Sequence, residues 1–214
     1  DGKTIGTTPL TEGVVVGKRK LSIVADGYTT YEKDIYITKD CNEEINVALN
    51  VKKLTYKVGD YYDDGTKQGV VFEVWDGGRH GKIVSLDEVK KQWCSDAQYV
   101  KYIVVGASSK SDGKANTDKV MSRSDSAEYP AFVWCRAKGE DWYLPAFDDV
   151  YLLRRVRDAI NSTLNERGCN TLSRYHWSST ESNGFCAWYV NMNNGLTGTN
   201  YKYRNYYVRA VSAF

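Results

Sequence analysis

Apolar residues alternate with polar ones at Ile35 and Ile37, and again at Ile45 and Val47, the two-residue period of a half-buried strand. Together with VVV at 14–16 and KLSIVADGY at 20–28, and with turn spellings at Thr8-Pro9, Gly13, Gly17, Asp26-Gly27 and Asp40, this predicts a small β-sandwich over 1–50. Residues 51–55 read as a linker. From 56 the text changes: YKVGDYYDDGTKQGVVFEVWDGGRHGKIVSL spells strand, Asp-Asp-Gly turn, strand, Gly-Gly turn, strand. Ser85 and Glu88 stand at capping-box spacing, which predicts a short helix running to about Trp93. The polar stretch 108–126 reads as a long surface loop. Tyr129 to Ala137 is a predicted helix. A longer one follows from Pro145, with Asp148 and Asp149 near its positive end, Val150, Leu153, Val156, Ile160 and Leu164 on one face, and Gly168 closing it. From His176 the pattern returns to strands. Strands, helices, strands in that order imply an α+β domain over 56–214 whose last strands pair back with its first.

Composition narrows what such a chain does. Its 214 residues carry 29 basic and 27 acidic side chains, a net charge of +2 with no segregation, which offers no footprint for nucleic acid or an anionic membrane. No apolar run reaches the roughly 18 residues of a membrane span, so the chain does not read as transmembrane. It opens on Asp-Gly and reads as a mature fragment from which a targeting segment has been removed. Five cysteines (Cys41, Cys94, Cys135, Cys169, Cys186) lack zinc spacing and are odd in number; they read as mostly buried free thiols. No cofactor or metal is implied. Asp60, Asp63 and Asp64 are too few for a calcium loop and read as a turn.

The N-terminal text DGKTIGTTPLTEGVVVGKRKLSIVADGY resembles the PEGA family in its Thr-Pro-Leu, its glycine before a strand and its Gly-Tyr at the next turn. That resemblance implies an extracytoplasmic β-sandwich adaptor without catalytic residues. Further on, Gly139 with Asp141 to Val150, then YHWSSTE, AWYVN, Asn194-Gly195 and VRAV occur in an order that resembles the C-type-lectin-like fold shared with formylglycine-generating enzymes. More closely it resembles bacterial ligand-binding proteins diversified by retroelements that copy a template with errors at adenines. The resemblance implies an α+β C-type-lectin-like domain preceded by a small all-β sandwich, displayed at the cell surface. Its partner is an exposed protein or other macromolecule.

Randomising the adenines of an Asn codon never yields Trp, Lys, Gln, Glu or Met. Between Ser182 and Tyr207 only Trp188, Met192 and Lys202 fall outside the reachable set, and no acidic residue occurs. The resemblance assigns the exchangeable, ligand-binding role to Ser182, Gly184, Phe185, Cys186, Tyr189, Asn193, Leu196, Gly198, Asn200, Tyr201, Tyr203, Arg204 and Tyr206. It assigns the framework to Trp177, Ser178, Ser179, Glu181, Ala187, Trp188, Val190, Asn194, Gly195, Val208, Arg209 and Val211, with Trp177, Trp188 and Val208 expected in the core. Physically the window suits binding: Tyr offers a stiff amphipathic contact, while Asn, Ser and Gly offer adaptable hydrogen bonds. Alternation predicts Tyr201, Tyr203 and Asn205 on one strand face. Taken singly, each Tyr is better explained by structure, since isolated exposed aromatics need no function; taken together with the matching framework, they read as a binding surface.

Two other functions fit the same text: an adhesin or pilus-tip module of fixed specificity, and an enzyme of the formylglycine-generating type. The latter needs a late cysteine pair, which Cys169 and Cys186 do not match in spacing. His176 with Ser178 or Ser179 does not make a triad from neighbours on one strand. Cys135 has no activating partner in the sequence. The chain therefore does not read as an enzyme.

Overall fold

The computed structural model describes residue 13 and residues 15–25, 27–39, 45–49 and 55–214. The predicted turns at Thr8-Pro9 and Asp40, most of the linker and Cys41 lie outside the described residues. The chain divides into two compact units, Asp1–Leu54 and Thr55–Phe214.

In the first unit β1 (Gly17–Ile23) and β2 (Tyr31–Ile37) form an antiparallel pair with Gly17 opposite Ile37. Lys18–Asp34 and Lys20–Glu32 ion pairs link the strands diagonally, each lysine reaching the residue two along from its register partner. Of the other strands expected here, Val15, Val16 and residues 45–49 form no ladder among the described residues.

The second unit runs β3 (Tyr61–Asp63), β4 (Gln68–Trp75), β5 (His80–Val84), β6 (Val89–Lys91), α1 (Asp96–Tyr99), α2 (Gly113–Met121), α3 (Pro130–Arg136), α4 (Phe147–Arg155), α5 (Arg157–Glu166), β7 (Tyr175–Glu181), β8 (Cys186–Asn191), β9 (Thr197–Tyr201), β10 (Tyr206–Val208) and β11 (Val211–Ala213). It is α+β, with two sheets in the orders β11-β5-β4-β3 and β6-β10-β7-β8-β9. The last strands do return to the first: β11 pairs with β5 and β10 with β6. The four-stranded sheet is buried on both faces, which is why Val70, Val71 and Phe72 read as an unbroken apolar run. Val71 and Ile83 face a core with Trp93, Phe132, Trp177, Ala187 and Val208; Val70, Phe72 and Val84 face another with Val150, Leu153, Ile160, Leu164, Val190 and Met192.

Three local expectations are corrected. The helix expected from Ser85 is absent, and β6 stands there. Ser85 Oγ accepts from Ala210 N and donates to Asp87 O, while Glu88 turns to Arg209, so both capping side chains serve the returning C-terminal segment instead. The expected loop at 108–126 contains α2, capped by Asp112, whose carboxylate accepts from Ala115 N at 2.8 Å. The single long helix is two, broken at Val156 (φ −104°, ψ 13°). Arg154 and Arg157 on either side of the break donate to Asn193 O and Met192 O, so the helices bend around the β8–β9 turn. The apolar face survives the break, and Gly168 ends α5 at φ 66°.

Candidate functional site

The window from Ser182 to Tyr207 forms the β8–β9 hairpin, the loops on either side of it and β10. Its anchor is an ion pair sealed in the core. Lys202 Nζ lies 2.6 Å from Glu181 Oε1, with both side chains almost wholly buried. The other partners are fixed as well: Glu181 accepts from Val105 N and Gly106 N, and Lys202 donates to Gly184 O and sits 4.5 Å from the Trp93 ring. The Lys202 backbone carbonyl takes Trp93 N, and its amide reaches Phe185 O. One residue thus fastens both loops to the core.

Around that anchor lie two aromatic groups. In the first, Phe185 packs against Tyr102 (4.4 Å between centroids) and Tyr99 (5.3 Å), Tyr99 meets Tyr203 edge-on at 4.7 Å, and Tyr203 stacks on Tyr201 at 5.8 Å. Arg204 lies over Tyr203. Tyr102, Tyr201 and Phe185 are 54%, 45% and 39% exposed. In the second, on the sheet, Tyr206 stacks on Tyr175 and touches Tyr189 and Trp177, and its hydroxyl takes a hydrogen bond from Asn200. Gly198 stands opposite Tyr189, and a side chain there would press on the Tyr189 hydroxyl.

Of the thirteen expected ligand residues, Phe185, Tyr201, Tyr203 and Arg204 belong to the first group and Tyr189, Gly198, Asn200 and Tyr206 to the second. Cys186 opens β8 opposite Tyr201, half-buried, its thiol pushed up by burial. Ser182 is exposed, and Gly184 is buried beneath Tyr102. Asn193 and Leu196 are not brought to these residues: they sit in the turn at the far end of the hairpin, about five strand residues or ~17 Å from Cys186. The expected strand through Tyr201, Tyr203 and Asn205 is corrected, because β9 ends at Tyr201 and a turn follows; Tyr201 and Tyr203 come together by stacking. Trp188 is corrected too. It is half-buried at the margin, edge-on to Phe147 and under Lys110, and does not enter the core.

Sequence reasoning missed Tyr99, Tyr102 and Tyr175. The first two are over eighty positions from the segment they join, and only their aromatic clustering in QYVKY marks them.

The titratable groups are committed elsewhere. Ser178 Oγ donates to Trp188 O, Ser179 Oγ accepts from Asn116, and both serines are buried. His176 is buried, stacked on Tyr207 and 3.7 Å from Glu88, beyond hydrogen-bond reach. Burial holds it below its ordinary value of 6.5. Burial opposes the Glu88 charge, but His176 and Arg209 outweigh it and keep that carboxyl low. Asp64 accepts from Thr66 N, Lys67 N and Tyr62 OH, and Asp63 from Gly65 N, so these carboxylates close the β3–β4 turn. Among the described residues no cluster of His, Cys, Asp and Glu has the makings of a metal site, and no helix is long and apolar enough to cross a membrane. Two open clefts, of about 430 Å³ beside Lys90 and Arg174 and about 390 Å³ beside Lys67 and Trp142, contain none of the thirteen residues.

Fold and site together describe an α+β protein with a polar-aromatic surface on a rigid, ion-paired base. Residues 1–53 match the family model of the PEGA domain. No curated protein matches the chain. Among solved structures it is similar to a fimbrial protein from Bacteroides ovatus ATCC 8483, with a TM-score of 0.56 and 18% identity over 74% of this chain and 49% of that one. The chain thus spans about half the length of that protein, and the likeness is one of fold.

Proposed function

We propose that the protein is a surface-displayed binding protein in which a PEGA-like unit over 1–50 carries, through residues 51–55, a C-type-lectin-like domain over 56–214. That domain presents an exchangeable site on its C-terminal loops and strands. Its action is non-covalent recognition, with no catalytic step and no cofactor. The observation that carries the reading is the division of burial: nine of the twelve framework residues (Trp177, Ser178, Ser179, Glu181, Ala187, Val190, Val208, Arg209 and Val211) are buried, Trp188, Asn194 and Gly195 being the exceptions, whereas of the thirteen assigned positions only Gly184 is. Side chains outside the buried core are free to change without loss of the fold, which is what a diversified site requires; Tyr189 and Tyr206, which pack against that core, are the most constrained of the thirteen. The PEGA match and the fold-likeness to a fimbrial protein agree with display outside the cytoplasm.

The test is genomic and biochemical. A near-copy of the DNA encoding residues 176–214, differing at adenines and close to a reverse transcriptase gene, is the expected finding. Replacing Phe185, Tyr201, Tyr203 and Arg204 together by Ser is expected to leave the melting temperature within a few degrees. Loss of the fold in that variant, together with absence of the copy, would sink the reading. The fimbrial likeness also favours a second reading, an adhesin module of fixed specificity, which predicts an identical window in every isolate.

A further inference from the structure

Tyr102 is the one large side chain of the first aromatic group held by a strained backbone. Its φ is 52°, a left-handed conformation that a bulky side chain rarely adopts, in the turn where Tyr102 N reaches back to Tyr99 O. That turn throws the ring outward over Gly184 and onto Phe185. A Cβ added at Gly184 would fall 2.8 Å from Tyr102 Cδ2, so the ring rests where it does only because residue 184 has no side chain. Gly184 itself does not have the positive φ that would demand glycine. The contact that limits position 184 is therefore an exposed ring that can swing, and not backbone.

We infer that Tyr99 and Tyr102, outside the C-terminal segment, complete the ligand surface, and that the residue at 184 sets the position of Tyr102 and with it the specificity. This rests on the reading of Phe185, Tyr201 and Tyr203 as the binding site. The partner is an exposed polypeptide segment that offers an apolar or aromatic side chain beside an acidic one. The surface is aromatic and is entered by neither cleft, whereas small ligands are held in concavities. Tyr and Arg are the residues that anchor protein interfaces. Arg204 is exposed and makes no ion pair among the described residues, so its guanidinium is available to an acidic side chain of the partner.

The probe is a phage-displayed library of random peptides panned on the full chain, followed by affinity measurement of the enriched peptides on variants. Tyr102→Gly removes the ring while suiting a φ of 52°, so it keeps the fold; it is expected to weaken binding about tenfold, the loss typical of an interface anchor. Gly184→Ser is expected to cost a similar factor, and the double variant no more than either alone, since both act through one ring. Tyr36→Ser, on the first unit, is expected to change nothing. Additive losses would overturn the coupling between 184 and Tyr102. Peptides that lose binding with Phe185→Ser and Tyr203→Ser but not with Tyr102→Gly would overturn this inference and leave the site standing. Insensitivity to all of these would overturn both. Failure of any peptide to enrich, or enrichment without acidic residues, would overturn the polypeptide partner.

Discussion

Lys202 is a charged side chain that the fold cannot easily lose. An ammonium taken out of water is tolerable here because Glu181 faces it at 2.6 Å and Gly184 O takes another of its protons. Lys202→Met would strand the Glu181 carboxylate, although Val105 N and Gly106 N still reach it, and is expected to cost about 3–5 kcal/mol in urea denaturation. Combining it with Glu181→Gln should recover part of that loss; full additivity would show that the two do not act as a pair. His176 offers a second test. Its folded-state pKa lies below the unfolded 6.5, so below that pH the unfolded chain binds a proton the folded one refuses. The stability it permits is complete above about pH 6.5 and falls as the pH drops towards the folded value. Glu88, also lowered, adds a loss that begins only below its ordinary 4.5. Denaturation measured at about pH 7.5 and about pH 5.5 should therefore show a fall in stability that is smaller in His176→Gln, and an unchanged slope in that variant would refute the assignment.

At the scale of elements, α2 explains why part of the fold escaped the sequence pattern. A helix is legible when apolar residues recur at its period, yet α2 buries Asn116 and Thr117 beside Val120. Their polarity is satisfied across the molecule: Asn116 bonds Ser109 and Ser179, and Thr117 Oγ1 accepts from Leu144 N. Such partners are invisible to periodicity, so only the cap Asp112 marked the helix. Asp112→Ala should cost about 1 kcal/mol, read as a lowered denaturation midpoint. The α4–α5 face and the β3 to β5 strands were legible because burial there is apolar apart from Asp149, which pairs with Lys82. The Ser85–Glu88 spelling misled for the converse reason, its side chains being claimed by residues over 120 positions away. A separation of more than eighty positions likewise divides the legible half of the site from the rest. Residue types in the window marked Phe185, Tyr201 and Tyr203, while Tyr99 and Tyr102 join them only through the packing of α1. Glycine at 78 marks a tight approach rather than a loose turn. It has φ 87° and a Cβ there would run into the Tyr56 carbonyl, so Gly78→Ala is expected to lower stability by about 2 kcal/mol or more.

For the molecule as a whole, the division at Leu54 raises the question of which unit is able to stand alone. Thr55–Phe214 holds two apolar clusters of its own, one centred on Trp93, Phe132 and Trp177 and the other on Phe72, Leu153 and Ile160. A chain of that size buries about two-thirds of the surface it exposes when unfolded, enough to offset the entropy of ordering it. A unit the size of Asp1–Leu54 is near the lower limit at which a core suffices. Binding and folding should therefore travel together in the larger unit. Expressed alone, Thr55–Phe214 is expected to melt in a single cooperative transition, with the near-ultraviolet dichroism of packed Trp93 and Trp177, and to bind the peptides selected on the full chain with unchanged affinity. A fragment that melts cooperatively but binds none of them would mean that the first unit contributes to recognition itself. A fragment without a transition would mean that the apolar clusters of the second unit are insufficient to hold the Lys202 anchor and the loops it fastens.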